Sequence, residues 1–233
     1  MIKKAIVIGA TSGIGKELAI LLIKNGYKVG ITGRRDQLLQ AMKTLYEDAV
    51  ELMPMDVTNI DHLPQQLDQL VQQLGGLELL VISAGTGELN AELDFDIEKT
   101  TIDTNVMGFT LIADWGLNFF LKQDTGHLVG ITSLAALRGN GLAPAYNASK
   151  AYQLNYLQGL RQKAHTAKAN IVVTDIRPGF VATAMAKGDK QFWVAPTLKA
   201  AKQIYAAIQQ KRKVAYVTKR WRLIAFLLRL WPS

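Results

Sequence analysis

Apolar residues follow two alternating patterns along the chain. Short, nearly continuous runs rich in Val, Ile and Leu occupy Lys3–Gly9, Lys28–Thr32, Val50–Met55, Leu77–Ser83, Gly126–Thr132, Asn170–Ile176 and Lys213–Val217. Continuous apolar runs of this length are expected of strands covered on both faces. Between them lie stretches with helical spacing: Gly13–Asn25, Gln37–Tyr46, Leu63–Leu74, Ile97–Lys122 (long enough for one helix or two), Ala145–Ala167 and Pro196–Gln210. Alternating strands and helices predict parallel strands joined by helical crossovers. The expected fold is therefore α/β: a doubly wound, parallel seven-stranded sheet with helices on both faces. No Pro/Gly/Ser-rich linker, low-complexity segment or repeat interrupts the pattern, so a single domain is expected over residues 1–218. A basic amphipathic extension, 219–233, follows it.

Composition changes this picture in two places. The 233 residues contain no cysteine, which removes disulfides, thiolate metal sites and a cysteine nucleophile together. The net charge of +8 is unevenly placed: from Lys190 to Ser233 there are ten basic residues and no acidic one. The remainder has 17 basic and 19 acidic residues, a net of −2, so the basic character belongs to the tail. The apolar start, Ala5 to Ala10, is too short for a signal-peptide core and reads as a buried strand.

Candidate chemistry begins where the first strand turns into the first helix, at Gly9-Ala10-Thr11-Ser12-Gly13-Ile14-Gly15. Missing Cβ atoms let a backbone turn sharply and approach a pyrophosphate, and the helix start offers free N–H groups. The spacing is G-x-x-x-G-x-G, not the G-x-G-x-x-G of the dinucleotide fingerprint, and a tight turn without a ligand is the competing reading. At the end of the second strand stands Thr32-Gly33-Arg34-Arg35. An NAD site places an acid here; Gly33 occupies that place, and Arg34 can offer a bidentate fork to a 2′-phosphate. The expected cofactor is NADP rather than NAD. A solvated Arg pair is the alternative, although positive charge at a helix start is unfavourable.

Ser133 closes the fifth strand, and Tyr146 and Lys150 lie four residues apart on the following helix, on one face. A phenol with pKa near ~10 is a poor acid–base at neutral pH. A cation at ~4 Å in an effective dielectric of ~20 would favour the phenolate by ~4 kcal/mol, before desolvation opposes it. Ser133 is placed to hydrogen-bond a substrate oxygen. With seven Tyr and 18 Lys in the chain, roughly 0.5 Tyr-x-x-x-Lys pairs arise by chance, so the pair gains meaning only from its company.

That company is extensive. Gly9/Gly13/Gly15, Asp56-Val57, Ser83-Ala84-Gly85, Asn105-Val106-Met107-Gly108, Ser133, Tyr146/Lys150 and Arg177-Pro178-Gly179 follow one another in the order and spacing of the short-chain dehydrogenase/reductase family. The chain resembles that family over about residues 3 to 183, and less closely to about 217. The resemblance implies a Rossmann-type fold and hydride transfer between a nicotinamide cofactor and a carbonyl or secondary alcohol. Tyr146 would be the general acid–base, and Lys150 would hold the nicotinamide ribose and lower the Tyr146 pKa. Asn105 would hold a water that relays protons through Lys150. Asp56 and Val57 would meet the adenine, Ala84 and Gly85 the adenosine ribose. Pro178, Gly179, Val181 and Thr183 would border the nicotinamide. The family commonly has Asn-Asn-Ala-Gly where this chain has Ile82-Ser83-Ala84-Gly85, so altered local hydrogen bonding with retained activity is expected.

Other features read as structural. His62, His127 and His165 have no ligand partners at metal spacing and are expected on the surface or in loops; no metal is expected. Asp94 before a helix is a cap. The apolar faces of Ile97–Lys122 and Ala145–Ala167 serve the core and, by the resemblance, a homodimer or homotetramer. Leu134, Leu137, Leu142, Met185, Phe192 and Trp193 are candidate pocket residues for an apolar carbonyl, beneath a short lid at Ala184–Val194.

Two readings stand for the tail. Its apolar run Leu223–Leu228 is far short of the ~20 residues that span a bilayer. With flanking Lys219, Arg220, Arg222 and Arg229 and with Trp221 and Trp231, residues 219–231 fit an interfacial helix on anionic lipid. Alternatively the helix packs on the sheet edge or a neighbouring subunit. The expected location is cytoplasmic, with the tail able to reach the inner face of a membrane. No base-reading element is present, so no nucleic-acid partner is expected. Competing functions are a nucleotide-sensing or scaffolding protein on the same fold, against which Asn105, Ser133, Tyr146 and Lys150 stand together, and a sugar-nucleotide epimerase, for which the C-terminal part is short.

Overall fold

The computed structural model of the protein describes residues 2–185 and 192–230. Seven strands form: β1 (Lys3–Ile8), β2 (Tyr27–Gly33), β3 (Val50–Pro54), β4 (Leu79–Ile82), β5 (Thr125–Ile131), β6 (Asn170–Pro178) and β7 (Val214–Val217). All pair in parallel, in the order β3-β2-β1-β4-β5-β6-β7. Winding proceeds outward in both directions from β1, and the crevice at the carboxyl ends of β1 and β4 is where such a sheet offers a ligand site.

Helices α1 (Gly13–Lys24), α2 (Asp36–Tyr46), α3 (Leu63–Leu74), α4 (Phe95–Ile102), α5 (Phe109–Lys122), α6 (Pro144–Thr166) and α7 (Thr197–Gln209) cover the sheet. Strand side chains alternate between two cores, as the period of two requires. Ala5, Val7, Val29, Ile31 and Val81 pack against Leu18 and Leu22 of α1, Leu39 of α2 and Ile204 of α7. Ile6, Ile8, Leu80, Ile82 and Leu128 pack against Leu67 and Leu70 of α3, Phe109 and Phe120 of α5 and Leu157 of α6. Each central strand is apolar on both faces, which explains the continuous rather than alternating sequence pattern.

The long stretch Ile97–Lys122 resolves into α4 and α5 joined by a π-helical turn, Asp103–Gly108. Asp94 caps α4, accepting a hydrogen bond from the Asp96 N–H at 2.9 Å. His127 departs from the expectation of a surface residue. It sits in β5, 9% exposed, with Nε2 2.8 Å from Thr174 Oγ1. Burial, helped by Lys211, lowers its pKa to about 4. A sheet covered on both faces leaves no wet side for a strand residue, so this histidine is buried neutral.

The chain after β7 forms one more helix, α8 (Trp221–Leu230). Trp221 (2% exposed) and Ala225 are buried against Leu134 in the 3₁₀ turn Leu134–Leu137. The packing alternative for the tail therefore holds for this face of the helix. Trp231, and residues 186–191 of the expected lid, lie outside the described residues.

Candidate active site

The ends of β1 to β6 build one cavity of about 1080 Å³ along the carboxyl edge of the sheet. β1 delivers the glycine turn. Gly9 and Gly13 adopt φ of +86° and +57°, which an L side chain rarely tolerates. A Cβ on Gly15 would lie 2.2 Å from the Gly9 carbonyl oxygen, so only glycine lets α1 approach this closely. Ser12 stands at the N-cap without a side-chain capping bond, leaving the first amides of α1 for another acceptor. The turn therefore suits a pyrophosphate by its own geometry: strained glycines, a helix N-terminus and a cavity in front of them.

A guanidinium covers this turn, and it belongs to Arg35. Its Nη2 donates to Thr11 Oγ1 at 2.7 Å and to Ser12 Oγ at 2.6 Å, and its Nε to Thr11 Oγ1 at 3.2 Å. Arg34, the residue expected from sequence, also borders the cavity, but among the described residues no such anchoring is seen for it. Arg35 is the cation held in position, and the Thr-Gly-Arg-Arg string alone does not distinguish the two.

β3 leads to Asp56, whose Oδ1 accepts from the backbone and hydroxyl of Thr58, and to Val57. β4 leads to Ser83, Ala84 and Gly85; the Ser83 N–H bonds to the Ile8 carbonyl, holding the β4 end beside the glycine turn. Pro178 at the end of β6, with Gly179 and Val181 beyond it, borders the cavity, and Val181 pairs with Ala195 in an isolated bridge. Thr183 rests against Gly13. Every residue expected to touch the cofactor thus lines this one cavity.

Ser133, Tyr146 and Lys150 line the same cavity. Ser133 Oγ accepts from the Ala135 N–H at 3.0 Å and is hydrogen-bonded to the Tyr146 phenol. Lys150 is buried, with Nζ 5.9 Å from the Tyr146 ring centroid, donating to the Ile131 carbonyl at 3.2 Å and to Gln153 Oε1 at 2.9 Å. Burial pulls the Lys150 pKa down to about 8, against the attraction of Asp175. Asp175 is itself buried, paired with Arg177 at 2.7 Å and accepting from Thr132 at 2.6 Å. Burial also pushes the Tyr146 phenol above its ordinary range, and the Ser133 hydrogen bond only partly opposes this. Shared burial thus shifts both groups towards their neutral forms, the phenol upward and the ammonium downward.

Asn105 is fully buried in the π-helical turn and does not line the cavity. Its side chain clamps the chain at Thr86, accepting from the backbone N–H at 2.9 Å and donating to the carbonyl at 2.7 Å, and it donates to Ser149 Oγ at 3.0 Å. Its backbone carbonyl accepts from Gln153 Nε2 at 2.8 Å. Gln153 thus joins Lys150 to Asn105 through two side-chain hydrogen bonds. Its position three residues after Lys150, on the same helix face, is the signal that could have disclosed it.

One end of the cavity is apolar. Leu134, Met185 and Phe192 line it as expected, whereas Leu137, Leu142 and Trp193 do not. Phe180 and three residues of α8, Trp221, Ile224 and Leu228, complete it. Trp221 packs on Gly179, where any Cβ would stand 2.1 Å from the indole, and gathers Phe180, Phe192 and Trp193 at ring-centroid distances of 5.1–5.7 Å.

The sheet order, the glycine turn and the Ser–Tyr–Lys group at the strand ends define a nucleotide-binding oxidoreductase of the doubly wound class. Residues 3–192 match the short chain dehydrogenase family, and this chain belongs to it. It is similar to an uncharacterised oxidoreductase of Staphylococcus aureus (strain N315), 35% identical over 186 residues that cover 78% of this chain and 80% of that protein. Among solved structures it is similar in fold to ElxO with NADP bound (TM-score 0.84, 22% identity, 96% of this chain and 100% of that one). It is likewise similar to a short chain dehydrogenase/reductase of Burkholderia phymatum in complex with NAD (TM-score 0.86, 19% identity, 97% and 92%). α8 lies beyond residues 3–192, the part that matches the family.

Proposed function

We propose that this protein is an NADP(H)-dependent reductase or alcohol dehydrogenase in which Tyr146 is the general acid–base. The observation that carries the reading is a single cavity lined both by the Ser133–Tyr146 hydroxyl pair and by the Arg35-covered glycine turn. Hydride would be supplied or accepted by a nicotinamide cofactor when one is bound. The chain's own residues do the rest. Ser133 donates a hydrogen bond to the substrate oxygen and fixes it beside Tyr146. A phenol kept protonated by burial is the form that donates a proton to that oxygen as negative charge develops on it during reduction. Lys150, held by Gln153 and the Ile131 carbonyl, would hold the nicotinamide ribose hydroxyls through its ammonium.

The preference for NADP rests on Arg35. A guanidinium already aligned over Thr11 and Ser12 matches a phosphate on the adenosine ribose, and no acid stands at Gly33 to hold free ribose hydroxyls. The relatives of this fold use either cofactor, one structure holding NADP and another NAD. A panel of carbonyl compounds assayed by NADPH oxidation, with Tyr146→Phe as control, tests the reading. Turnover that survives undiminished in the variant overturns the role given to Tyr146.

A further inference from the structure

α8 has two apolar faces that do different things. Trp221, Ile224 and Leu228 recur at helical spacing and face inward, as the wall of the apolar end of the cavity. Leu223, Phe226 and Leu227 face the other way and are 62%, 59% and 51% exposed. A helix buried only for packing has no need of a second apolar stripe, and three large apolar residues in one patch call for a partner surface.

The patch does not end with the helix. Phe192, Trp193 and Val194 are also exposed and stand beside α8, since Phe192 and Trp193 both pack on Trp221. Phe192 lines the cavity as well, so the exposed patch runs up to the cavity mouth. Arg220 locks this rim in place, donating to the Trp193 carbonyl at 2.9 Å with its guanidinium 4.8 Å from the Trp193 ring centroid.

Charge decides what covers the patch. Exposed Lys219, Arg220 and Arg222 flank it, and from Lys190 to Ser233 the sequence holds no acidic residue. A second copy of the chain docking by twofold symmetry would set these cations against their own equivalents. An anionic bilayer surface complements them, takes the exposed Leu and Phe side chains among its acyl chains and suits Trp193 at the headgroup level. Among the described residues no helix is long and apolar enough to cross a membrane, and ten residues of helix span only ~15 Å, so α8 lies along the surface.

We infer that α8 is a membrane-resting pocket wall: its outer face and the Phe192–Val194 rim sit on an anionic lipid surface, and its inner face guides an apolar, membrane-partitioning carbonyl or alcohol to Tyr146. The substrate class rests on the catalytic reading above; the lipid contact does not. The cavity mouth then opens towards the bilayer, where long-chain aldehydes and ketones concentrate, rather than towards water.

The test uses the full chain and vesicles of phosphatidylcholine alone or with phosphatidylglycerol. Wild type is expected to pellet with the anionic vesicles and to be released by high salt. The variant Leu223→Ser/Phe226→Ser/Leu227→Ser, altered only on the outer face, is expected to lower the partition coefficient by about tenfold or more. Lys219→Glu/Arg222→Glu provides a second variant that touches no apolar contact and should act in the same direction. Both should turn over a short, water-soluble carbonyl like wild type. Vesicles should raise turnover of a long-chain carbonyl for wild type only. Wild type left in the supernatant with anionic vesicles overturns the proposal, as does a change of oligomeric state in the outer-face variant, which would assign the patch to a second copy. Vesicle binding without turnover of any carbonyl refutes the catalytic reading while leaving the lipid contact standing.

Discussion

Replacing Gln153 by Leu separates the electrostatic role of the buried network from its packing role. Gln153 is fully buried, accepts from Lys150 Nζ at 2.9 Å and donates to the Asn105 carbonyl at 2.8 Å. Leucine keeps most of the volume and removes both hydrogen bonds. The bond to the ammonium is worth ~1.5–3 kcal/mol and favours only the charged form, so its loss lowers the Lys150 pKa by ~1–2 units. The starting value is about 8, already below the ordinary lysine range because of burial. Lys150 would then lose its proton near neutrality. If its charge holds the nicotinamide ribose, kcat/KM for NADPH declines as pH rises through the Lys150 pKa, and the variant's decline begins lower. For a shift of ~1.5 units, the protonated fraction at a pH of about 7.5 falls by ~8-fold. Steady-state NADPH oxidation across a pH series for wild type, Gln153→Leu and Gln153→Glu reads this directly. The glutamate, a charged acceptor, should move the decline upward instead. Profiles of unchanged position in both variants, with only the amplitude or the thermal stability reduced, would refute the reasoning and leave Gln153 a packing residue.

Three further outcomes follow from single contacts. Arg35→Ala should raise the KM for NADPH by ~10–100-fold with little change for NADH, the cost of one charge-assisted fork; a larger loss in Arg34→Ala would return the role to that residue. His127 is held neutral with a pKa of about 4, so it contributes stability that is fully present above its unfolded value near 6.5 and is lost as pH falls towards 4. The loss amounts to at most ~3 kcal/mol, and urea midpoints at pH values of about 7 and 4.5 should converge less for wild type than for His127→Gln, which keeps a partner for Thr174. Trp221 buries an indole N–H that has no hydrogen-bond partner among the described residues, so Trp221→Phe should be nearly neutral, whereas Trp221→Ala, which empties the aromatic group, should cost ~3–5 kcal/mol by thermal denaturation.

Much of this architecture is legible in the sequence because the physics is local. Strands buried on both faces must be apolar throughout, and so β1, β2, β4 and β5 announce themselves. The glycine turn is equally legible, since no other residue permits the φ values at Gly9 and Gly13 or the approach of Gly15 to the Gly9 carbonyl. What stays hidden depends on three-dimensional register. Arg34 and Arg35 are neighbours of identical chemistry, and only the path of the chain into α2 selects the one that reaches Thr11 and Ser12. His127 looks like any isolated histidine until β6 brings Thr174 beside it. The direction of the Tyr146 pKa shift depends on how much solvent the fold removes, which no spacing reports. The tail offered two readings, packing or interface, and its two stripes, Trp221/Ile224/Ala225/Leu228 and Leu223/Phe226/Leu227, show why: the sequence carries a face for each.

The central claim is that this cavity brings a nicotinamide hydride to a carbonyl carbon while Tyr146 supplies the proton. Single-turnover reaction with NADPH deuterated on the transferred position of the nicotinamide ring, followed by mass spectrometry of the product, tests it most directly. The account predicts one deuterium on the carbinol carbon of the product alcohol with wild type, and a loss of ~10²–10⁴-fold in that rate for Tyr146→Phe with NADPH binding retained. A protein that binds NADPH yet transfers no deuterium to any carbonyl, or a Tyr146→Phe variant that transfers it at the wild-type rate, would contradict the account.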